Sequence, residues 1–561
     1  MDTKNFILAI ALSILAFVIY QYFFAPNPSK ETVPAAKPEI AQPEKPQVRK
    51  ATVQGETLNI LTVAKGKEIT VETDLVNAVI STAGGVITKW ELKDYQEADK
   101  TQVGLTALYK KIMGQERKEI RPKKELGNVN LLPTQEELSL GAIESKNIVS
   151  PLAITPLEKS LYKLAMVDFK TNYDNLKLSK DNPSANLTLT YKGPAGISIE
   201  KTLKFYNNDY KVDVLVKTHG LDGYNMNLGT DFGLADKISS DASGRVGIVE
   251  EVDGKFNTLK VENIKGETQS SGIINWFGQE DKYFTASIIY GERGIITSKR
   301  MTAPAEFGDL LSTELTVKEK VEERNFTLYA GPKSFSMLAA HGHGLEQMVD
   351  YGWFSIVAKP MFWLLRFFFD ITKNYGIAII LLTIVVRILL FYPSLKSALS
   401  MEEMKKLQPQ IVELKEKYKK DPKRMNQETM KLYKEHKVNP LGGCLPMLLQ
   451  LPFFIALYNV LSVSIELRQA PFISFWIKDL SIYDPYYILP VLMGVSMILM
   501  MKMTSSTADP QQAKIMLYMN IAFIFLFAWL PAGLLLYITL SNVLSIAQQM
   551  YVHKLISSKT A

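Results

Sequence analysis

Hydrophobic and polar residues alternate along much of the first half of the chain. From about residue 52 to residue 329, apolar side chains recur at every second position, as at Val212, Val214 and Val216, and turns containing glycine or asparagine separate the runs. A repeat of two is typical of strands with one buried face. The pattern therefore predicts one large antiparallel β-sandwich rather than alternating strands and helices, with about 280 residues available to form its core.

A long apolar run precedes this region. Residues 6–24 follow Lys4 and are long enough to cross a hydrocarbon layer of roughly 30 Å as a helix. No small-x-small cleavage pattern comes after them, so we expect an uncleaved anchor with its N-terminus in the cytoplasm. Residues 26–48 contain six prolines among mostly polar residues and alanine, which predicts an extended spacer.

The last third of the chain is dominated by further apolar runs. Residues 353–369 are rich in tryptophan and phenylalanine but include Lys359, Arg366 and Pro360. This composition favours a helix that lies in the interface on the outer side of the membrane rather than a span. Five candidate spans follow, at residues 375–392, 441–465, 486–501, 515–530 and 534–552. The last two are separated by a Pro-Ala-Gly sequence at 531–533, which favours a tight hairpin. Together with the anchor, these runs predict six spans with both termini in the cytoplasm.

The distribution of charge agrees with this arrangement. The net charge is +7, but residues 1–392 hold 46 basic and 46 acidic residues, whereas residues 393–440 hold 12 and 7 and the final 121 residues hold 6 and 4. The basic loop, Lys502, Lys514, Lys554 and Lys559 would all lie in the cytoplasm, as positively charged loops usually do. So few charges at the end of the chain exclude a wholly soluble protein. The single cysteine excludes an intramolecular disulfide.

The basic loop has the pattern of a helical hairpin, predicted at residues 396–438. An apolar stripe at spacings of three and four predicts one amphipathic helix; its members are Met404, Leu407, Ile411, Leu414 and Tyr418. Asp421 as N-cap and Pro422 as the first helical residue predict a second helix that reaches about His436. Two interpretations remain open: the hairpin packs on itself with a solvated basic surface, or that surface binds ribosomal RNA, acidic headgroups or a nascent chain.

Arg387 is the charged residue of the 375–392 run, and an unpaired charge inside a span costs several kcal/mol unless it faces water or a partner. We expect it to mark a polar cavity that accepts an anionic guest, although a side chain this near the end of the run can also reach the headgroups by snorkelling. Thr383 lies one turn earlier on the same face. Further intramembrane polar residues either line the same groove or form helix-packing hydrogen bonds; they are Gln450, Asn459, Tyr537 and Asn542.

Signs of enzymatic chemistry are weak. The chain contains no P-loop, Gly-x-Ser-x-Gly, His-Glu-x-x-His or nucleotide fingerprint. His341 and His343 lack a nearby third ligand, and Cys444 follows a charged loop rather than an export segment, so we expect neither a metal site nor lipidation. The sequence therefore predicts no catalytic residue, no metal and no cofactor.

Several motifs resemble those of the YidC family of membrane protein insertases. They are NPLGGCLP at 439–446, QLPFF at 450–454, ELRQAPF at 466–472, DPYYILP at 484–490, DPQQ at 509–512, WLPAG at 529–533 and TIVVR at 383–387. The resemblance is strongest from residue 351 to residue 552. The anchor, spacer and exported β region resemble the Gram-negative form of the family, whose periplasmic domain is a β-supersandwich.

The resemblance implies a function without nucleotide hydrolysis in the bacterial inner membrane. Five helices would form a hydrophilic groove open to the cytoplasm and to lipid, where Arg387 attracts polar or acidic parts of a nascent membrane protein. Expected partners are nascent membrane proteins, the Sec translocon, the ribosome and membrane lipids, and DNA is not one. Two departures from the family concern binding: the tail at 553–561 lacks a long basic extension, and Ile538 stands where some relatives have a second tyrosine.

We therefore expect a multi-domain protein, in which a membrane bundle of six helical spans, five of them forming the insertase core, is joined to an all-β sandwich. The predicted divisions are an anchor at 1–25, a linker at 26–50, a periplasmic sandwich at 51–340, an interfacial region at 341–374, a core at 375–552 and a cytoplasmic tail at 553–561, with residues about 25–374 periplasmic. An alternative class remains open, namely a solute transporter or channel with a domain like those that bind carbohydrate.

Overall fold

The computed structural model describes residues 66–97, 127–133, 148–235, 246–301, 309–318, 322–419, 421–436, 445–504 and 510–560. Three predictions lie outside these residues: the anchor at 1–25, the linker at 26–50 and the packing of Cys444.

The strands all lie before the helical region. They are β1 (Glu68–Glu72), β2 (Val76–Ser81), β3 (Val86–Gln96), β4 (Asn128–Asn130), β5 (Ile154–Pro156), β6 (Lys170–Thr171), β7 (Asn175–Lys177), β8 (Ser184–Lys192), β9 (Ser198–Tyr206), β10 (Lys211–His219), β11 (Tyr224–Thr230), β12 (Gly247–Val252), β13 (Lys255–Lys260), β14 (Glu267–Glu280), β15 (Phe284–Met301), β16 (Leu310–Val317) and β17 (Glu323–Pro332). They form a five-stranded sheet in the order β4-β3-β2-β1-β7 and a twelve-stranded sheet whose main path is β13-β12-β14-β15-β17-β10-β9-β8-β6.

The alternation of residue types sets the inward face of strands such as β9 and β10. Along β9, Ile199, Leu203 and Phe205 are buried, and the register places Leu203 opposite Leu187 of β8 and Val214 of β10. Strands β1 and β7 pair in parallel, and the other pairings are antiparallel. The predicted β-rich, sandwich-like region is confirmed. The two sheets share one core, and Trp90 of β3 donates from Nε1 to the Ala330 carbonyl of β17 at 2.9 Å.

Lys201 breaks the apolar pattern of β9. It is fully buried, and its Nζ donates to the carbonyl oxygens of Gly84, Gly85 and Leu152 at 2.8, 3.0 and 2.7 Å. Burial lowers the pKa of the Lys201 ammonium to about 7. Three acceptors match the three donors of the charged form, so Lys201 joins the loop after β2 to the segment before β5.

Short 3-10 helices also occur among the strands, whereas the α-helices of the described part follow the last strand. They are α1 (Phe335–His341), α2 (Ser355–Thr372), α3 (Tyr375–Leu389), α4 (Phe391–Lys406), α5 (Gln408–Lys417), α6 (Pro422–Glu435), α7 (Leu445–Val463), α8 (Ile488–Thr504), α9 (Pro510–Phe527) and α10 (Ala532–Thr560). The predicted division at 531–533 is confirmed, because α9 ends at Phe527 and α10 begins at Ala532.

Length and hydropathy alone do not identify six spans. Within the described residues, no single helix is both long and apolar enough to cross a membrane, whereas α3 and α4 meet both criteria as a pair bent by 63°. The six-span count therefore remains a prediction.

The hairpin differs from its prediction in one helix. The stripe from Met404 to Tyr418 is not one helix, because α4 ends at Lys406 and α5 begins at Gln408 with a proline in its first turn. Proline lacks the N–H needed to continue a helix but is tolerated at a helix start. The second helix is confirmed: the Asp421 side chain accepts from the Arg424 N–H at 3.0 Å, and α6 ends at Glu435.

The hairpin is fixed to the bundle at its base. Met401, Met404 and Leu407 form a small buried cluster. Glu402 of α4 is also buried, and its Oε1 accepts from Lys405 Nζ at 2.8 Å and from Gln549 Nε2 of α10 at 3.3 Å. The base of the hairpin is therefore anchored to the helix that ends the described chain.

We expect Lys201→Ala to lower the free energy of unfolding of the β region by about 3 kcal/mol, because three buried carbonyl oxygens lose their donor. Tryptophan fluorescence during urea unfolding of the purified chain measures the change. Lys204→Ala, three residues along the same strand, is the control and should change stability by less than about 0.5 kcal/mol. Equal stability of the two variants would contradict the role assigned to Lys201.

Candidate functional site

Three helices of the bundle bring polar side chains together around Arg387. Arg387 of α3 donates from Nε to Ser541 Oγ of α10 at 2.9 Å and from Nη2 to the Ser541 carbonyl at 2.6 Å. Nη2 also donates to Gln450 Oε1 of α7 at 3.3 Å, and Gln450 Nε2 donates to Ser541 Oγ at 2.8 Å. Tyr537, one turn before Ser541, is buried within hydrogen-bonding reach of Gln450 and Ser541. We call these four residues the arginine cluster.

The sequence positions Arg387 through the packing of α3. Asn374 caps the helix by accepting from the Ile377 N–H at 3.1 Å, and its Nδ2 donates to the Phe472 carbonyl at 3.0 Å. Gly376 permits this contact, since a Cβ there would lie 2.1 Å from the Phe472 ring. Arg387 occupies the last turn of α3, where the helix dipole favours a positive charge.

The cluster contains a cation without an anion. Among the described residues, no carboxylate lies within 4 Å of the Arg387 guanidinium, and its acceptors are a hydroxyl, a carbonyl and an amide. Neutral acceptors solvate a guanidinium without neutralising it, so the site keeps its positive charge. Arg387 is half-buried, which leaves part of the side chain accessible. The arrangement can therefore attract a carboxylate or another anionic group by hydrogen bonding and charge.

The structure brings three of the six residues of the predicted groove together, namely Arg387, Gln450 and Tyr537. The other three have separate partners. Thr383 is fully buried and donates to the Ile379 carbonyl of its own helix at 2.6 Å. Asn459 donates to the Tyr351 carbonyl at 2.7 Å, and Asn542 donates to Ser496 Oγ of α8 at 3.0 Å. A role for any of the six in binding substrate stays a prediction.

Ser541 is a member of the cluster that the sequence analysis missed. It makes more hydrogen bonds to Arg387 than Gln450 does. The signal was available from helix geometry, because residues four apart share a helix face whereas residues five apart do not. From Tyr537, that rule selects Ser541 rather than Asn542.

Family models match most of the described chain. Residues 367–559 match the family described as 60Kd inner membrane protein, and residues 146–364 match the YidC periplasmic domain. The first match contains the whole arginine cluster, and the second contains all twelve strands of the larger sheet together with α1.

Two relatives that align over nearly their whole length share one name. A protein of Geobacter metallireducens named membrane protein insertase YidC is 35% identical over 572 residues, which cover 100% of this chain and 99% of that protein. A protein of Syntrophus aciditrophicus with the same name is 36% identical over 579 residues, which cover 98% and 99%. A crystal structure described as an active YidC insertase aligns with 86% of this chain and 92% of its own at 19% identity, with a TM-score of 0.37.

Cysteine labelling tests whether the arginine cluster is hydrated. In a Cys444→Ser background, Arg387→Cys should react rapidly with a charged, water-soluble thiol reagent, because only an ionised thiol in water is reactive. Leu382→Cys, fully buried on the same helix, should react slowly. Ile388 is 69% exposed on the surface of the bundle. Ile388→Cys should also react slowly if that surface faces lipid. Slow reaction at Arg387→Cys would contradict a hydrated site.

Proposed function

This chain belongs to the YidC family of membrane protein insertases, and from that membership we propose how its own residues carry out insertion. It is an insertase of the inner membrane with a periplasmic domain, and it is not an enzyme. Its substrates are nascent membrane proteins. The proposal covers the orientation of the core, the role of the arginine cluster and the partners.

We propose that the core crosses the membrane five times after an N-terminal anchor, with both termini in the cytoplasm. Helices α3, α7, α8, α9 and α10 are the crossings, α2 lies on the periplasmic surface, and the hairpin of α4, α5 and α6 projects into the cytoplasm. The main support is charge, since the surplus of basic residues falls in the hairpin and at helix ends assigned to the cytoplasmic side. The exposed apolar side chains of α8 and α9, among them Val491, Val495, Tyr518 and Phe525, suit contact with lipid.

The arginine cluster acts on the polar flank of the substrate. Transfer of an apolar segment of about twenty residues into lipid is favourable by itself, so the barrier lies in moving the polar residues beside it. A guanidinium that donates to Ser541 and Gln450 supplies charge and hydrogen bonds within a largely apolar bundle. An acidic or polar flank that enters this site gives up contacts with water and gains contacts with Arg387, instead of entering hydrocarbon. The apolar segment then leaves sideways along the exposed faces of α7 and α9.

The hairpin is the proposed contact with the ribosome, and the Sec translocon is the proposed partner for larger substrates. Exposed basic residues on α5 and α6, such as Lys417, Lys423 and Arg424, provide a positive surface near the membrane. The bond from Gln549 to Glu402 joins α4, at the base of the hairpin, to α10.

The observation that carries the proposal is a half-buried cation whose acceptors are all neutral, and substitution tests it. In cells depleted of their own insertase, Arg387→Ala should lower insertion of a single-span substrate with an acidic flank by about tenfold, since a hydrogen bond to a charged group contributes about 1.5–3 kcal/mol. Arg387→Lys should retain more activity because the charge remains.

Ser541→Ala should give a smaller loss than Arg387→Ala, because the cation stays but loses the hydroxyl that accepts from its Nε and Nη2. Lys502→Ala removes a basic residue elsewhere in the core and should insert normally. Each variant is compared at equal abundance in the membrane. Normal insertion of the acidic-flank substrate by Arg387→Ala would refute the electrostatic role.

A further inference from the structure

A cavity of about 530 Å³ lies between α1 and α2, away from the arginine cluster. Its lining combines basic and aromatic side chains, including Phe335, Ser336, Lys359, Trp363, Arg366 and Phe367. The volume falls within the range of sites that bind small ligands.

Two cations on one face of α2 border the cavity. Lys359, Trp363 and Arg366 follow one another at helical spacings of four and three, so they project from the same side of the helix. Arg366 donates from Nη1 to Ser336 Oγ of α1, and Lys359 Nζ lies 5.9 Å from the Phe335 ring centroid. Neither cation has a carboxylate within 4 Å in the described part of the chain, and Asp370 is the carboxylate among the residues lining the cavity. The cavity therefore has a surplus of positive charge.

The same helix presents apolar rings beside these cations. Trp363 and Phe367 are 69% and 47% exposed, and their rings stack with centroids 6.0 Å apart. The opposite face of α2 is buried through Ala358, Met361 and Leu365. Exposed tryptophan and phenylalanine next to basic residues are typical of protein surfaces at the level of lipid headgroups.

We propose that this cavity binds the headgroup of an anionic phospholipid from the outer leaflet. The phosphate diester lies between Lys359 and Arg366, and the acyl chains extend over Trp363 and Phe367. A guanidinium and an ammonium suit a phosphate, and the adjacent rings suit hydrocarbon, so the two halves of the cavity match the two halves of one lipid molecule. The site rests on the proposed function only for the placement of α2 at the periplasmic surface.

The site would hold α2 at a defined depth. Only Lys373 and Asn374 separate the end of α2 from α3, which carries Arg387. A lipid bound on α2 would therefore anchor the periplasmic end of the helix that holds the arginine cluster.

Quenching by brominated lipids tests the proposal on the full chain reconstituted into phosphatidylcholine vesicles. The probe lipids are brominated phosphatidylglycerol and brominated phosphatidylcholine at equal mole fraction. The signal of Trp363 is the difference between the wild type and Trp363→Phe. We expect brominated phosphatidylglycerol to quench Trp363 at lower mole fraction, and loss of each cation to reduce this preference about fivefold.

The variants Lys359→Gln, Arg366→Gln and their combination remove the cavity charges. Lys373→Gln is the matched control, because Lys373 lies at the end of α2 against Phe369, outside the cavity. Both lipids should quench Trp363 equally in the double variant. In the Lys373→Gln control, brominated phosphatidylglycerol should still quench Trp363 at the lower mole fraction. A preference that survives in the double variant would overturn the site.

The remaining outcomes separate the lipid site from the proposed orientation. If neither lipid quenched Trp363, the placement of α2 at the membrane surface would be wrong. If both quenched equally in the wild type, the placement would stand and the anionic site would be refuted. If inorganic phosphate removed the preference where chloride of equal ionic strength did not, the ligand would be a free anion and the lipid assignment would fail.

Discussion

One guanidinium inside a largely apolar helical bundle needs hydrogen-bond acceptors from neighbouring helices, and this requirement organises the core. Arg387 obtains its acceptors from α7 and α10, so α3 must approach both helices at a fixed height. Because those acceptors are neutral, the bundle satisfies the hydrogen bonds of the cation and still leaves its charge for a guest. A carboxylate in place of Ser541 would form an ion pair with Arg387, and the site would then no longer attract an anionic guest.

The periplasmic β region and the helical core form one connected body in the described residues. Ser334, after the last strand, donates to Glu466 beyond α7 at 2.9 Å, and Arg468 donates to the Gln96 carbonyl at the end of β3 at 2.8 Å. Burial raises the pKa of the Glu466 carboxyl, and this opposes its ionisation between the two regions. Asn459 of α7 adds a bond to the Tyr351 carbonyl, which lies between the β region and α2, so α7 is also joined to the segment that leads out of the β region.

Local patterns predicted the elements well and their contacts poorly. The repeat of two identified the sheet region, and Asp421 and the Pro-Ala-Gly sequence marked helix boundaries, because each signal depends on neighbouring residues alone. The break between α4 and α5 was missed because the apolar stripe continues across it. From the sequence alone, Thr383, Asn459 and Asn542 could not be distinguished from Gln450, because all four are polar residues within predicted spans. Which of them meets Arg387 depends on helix packing between residues as far apart as 154 positions, and sequence periodicity does not specify that.

The most direct test of insertion by the arginine cluster uses vesicles that contain this protein and no other. A short single-span protein with an acidic flank is synthesised beside them, and protease protection of the inserted segment is measured against empty vesicles. We predict protected product only in the vesicles that contain the protein, with less product when the acidic flank is neutralised. Equal protection in empty vesicles would contradict autonomous insertion, and equal protection of both flanks would contradict the role of the positive charge.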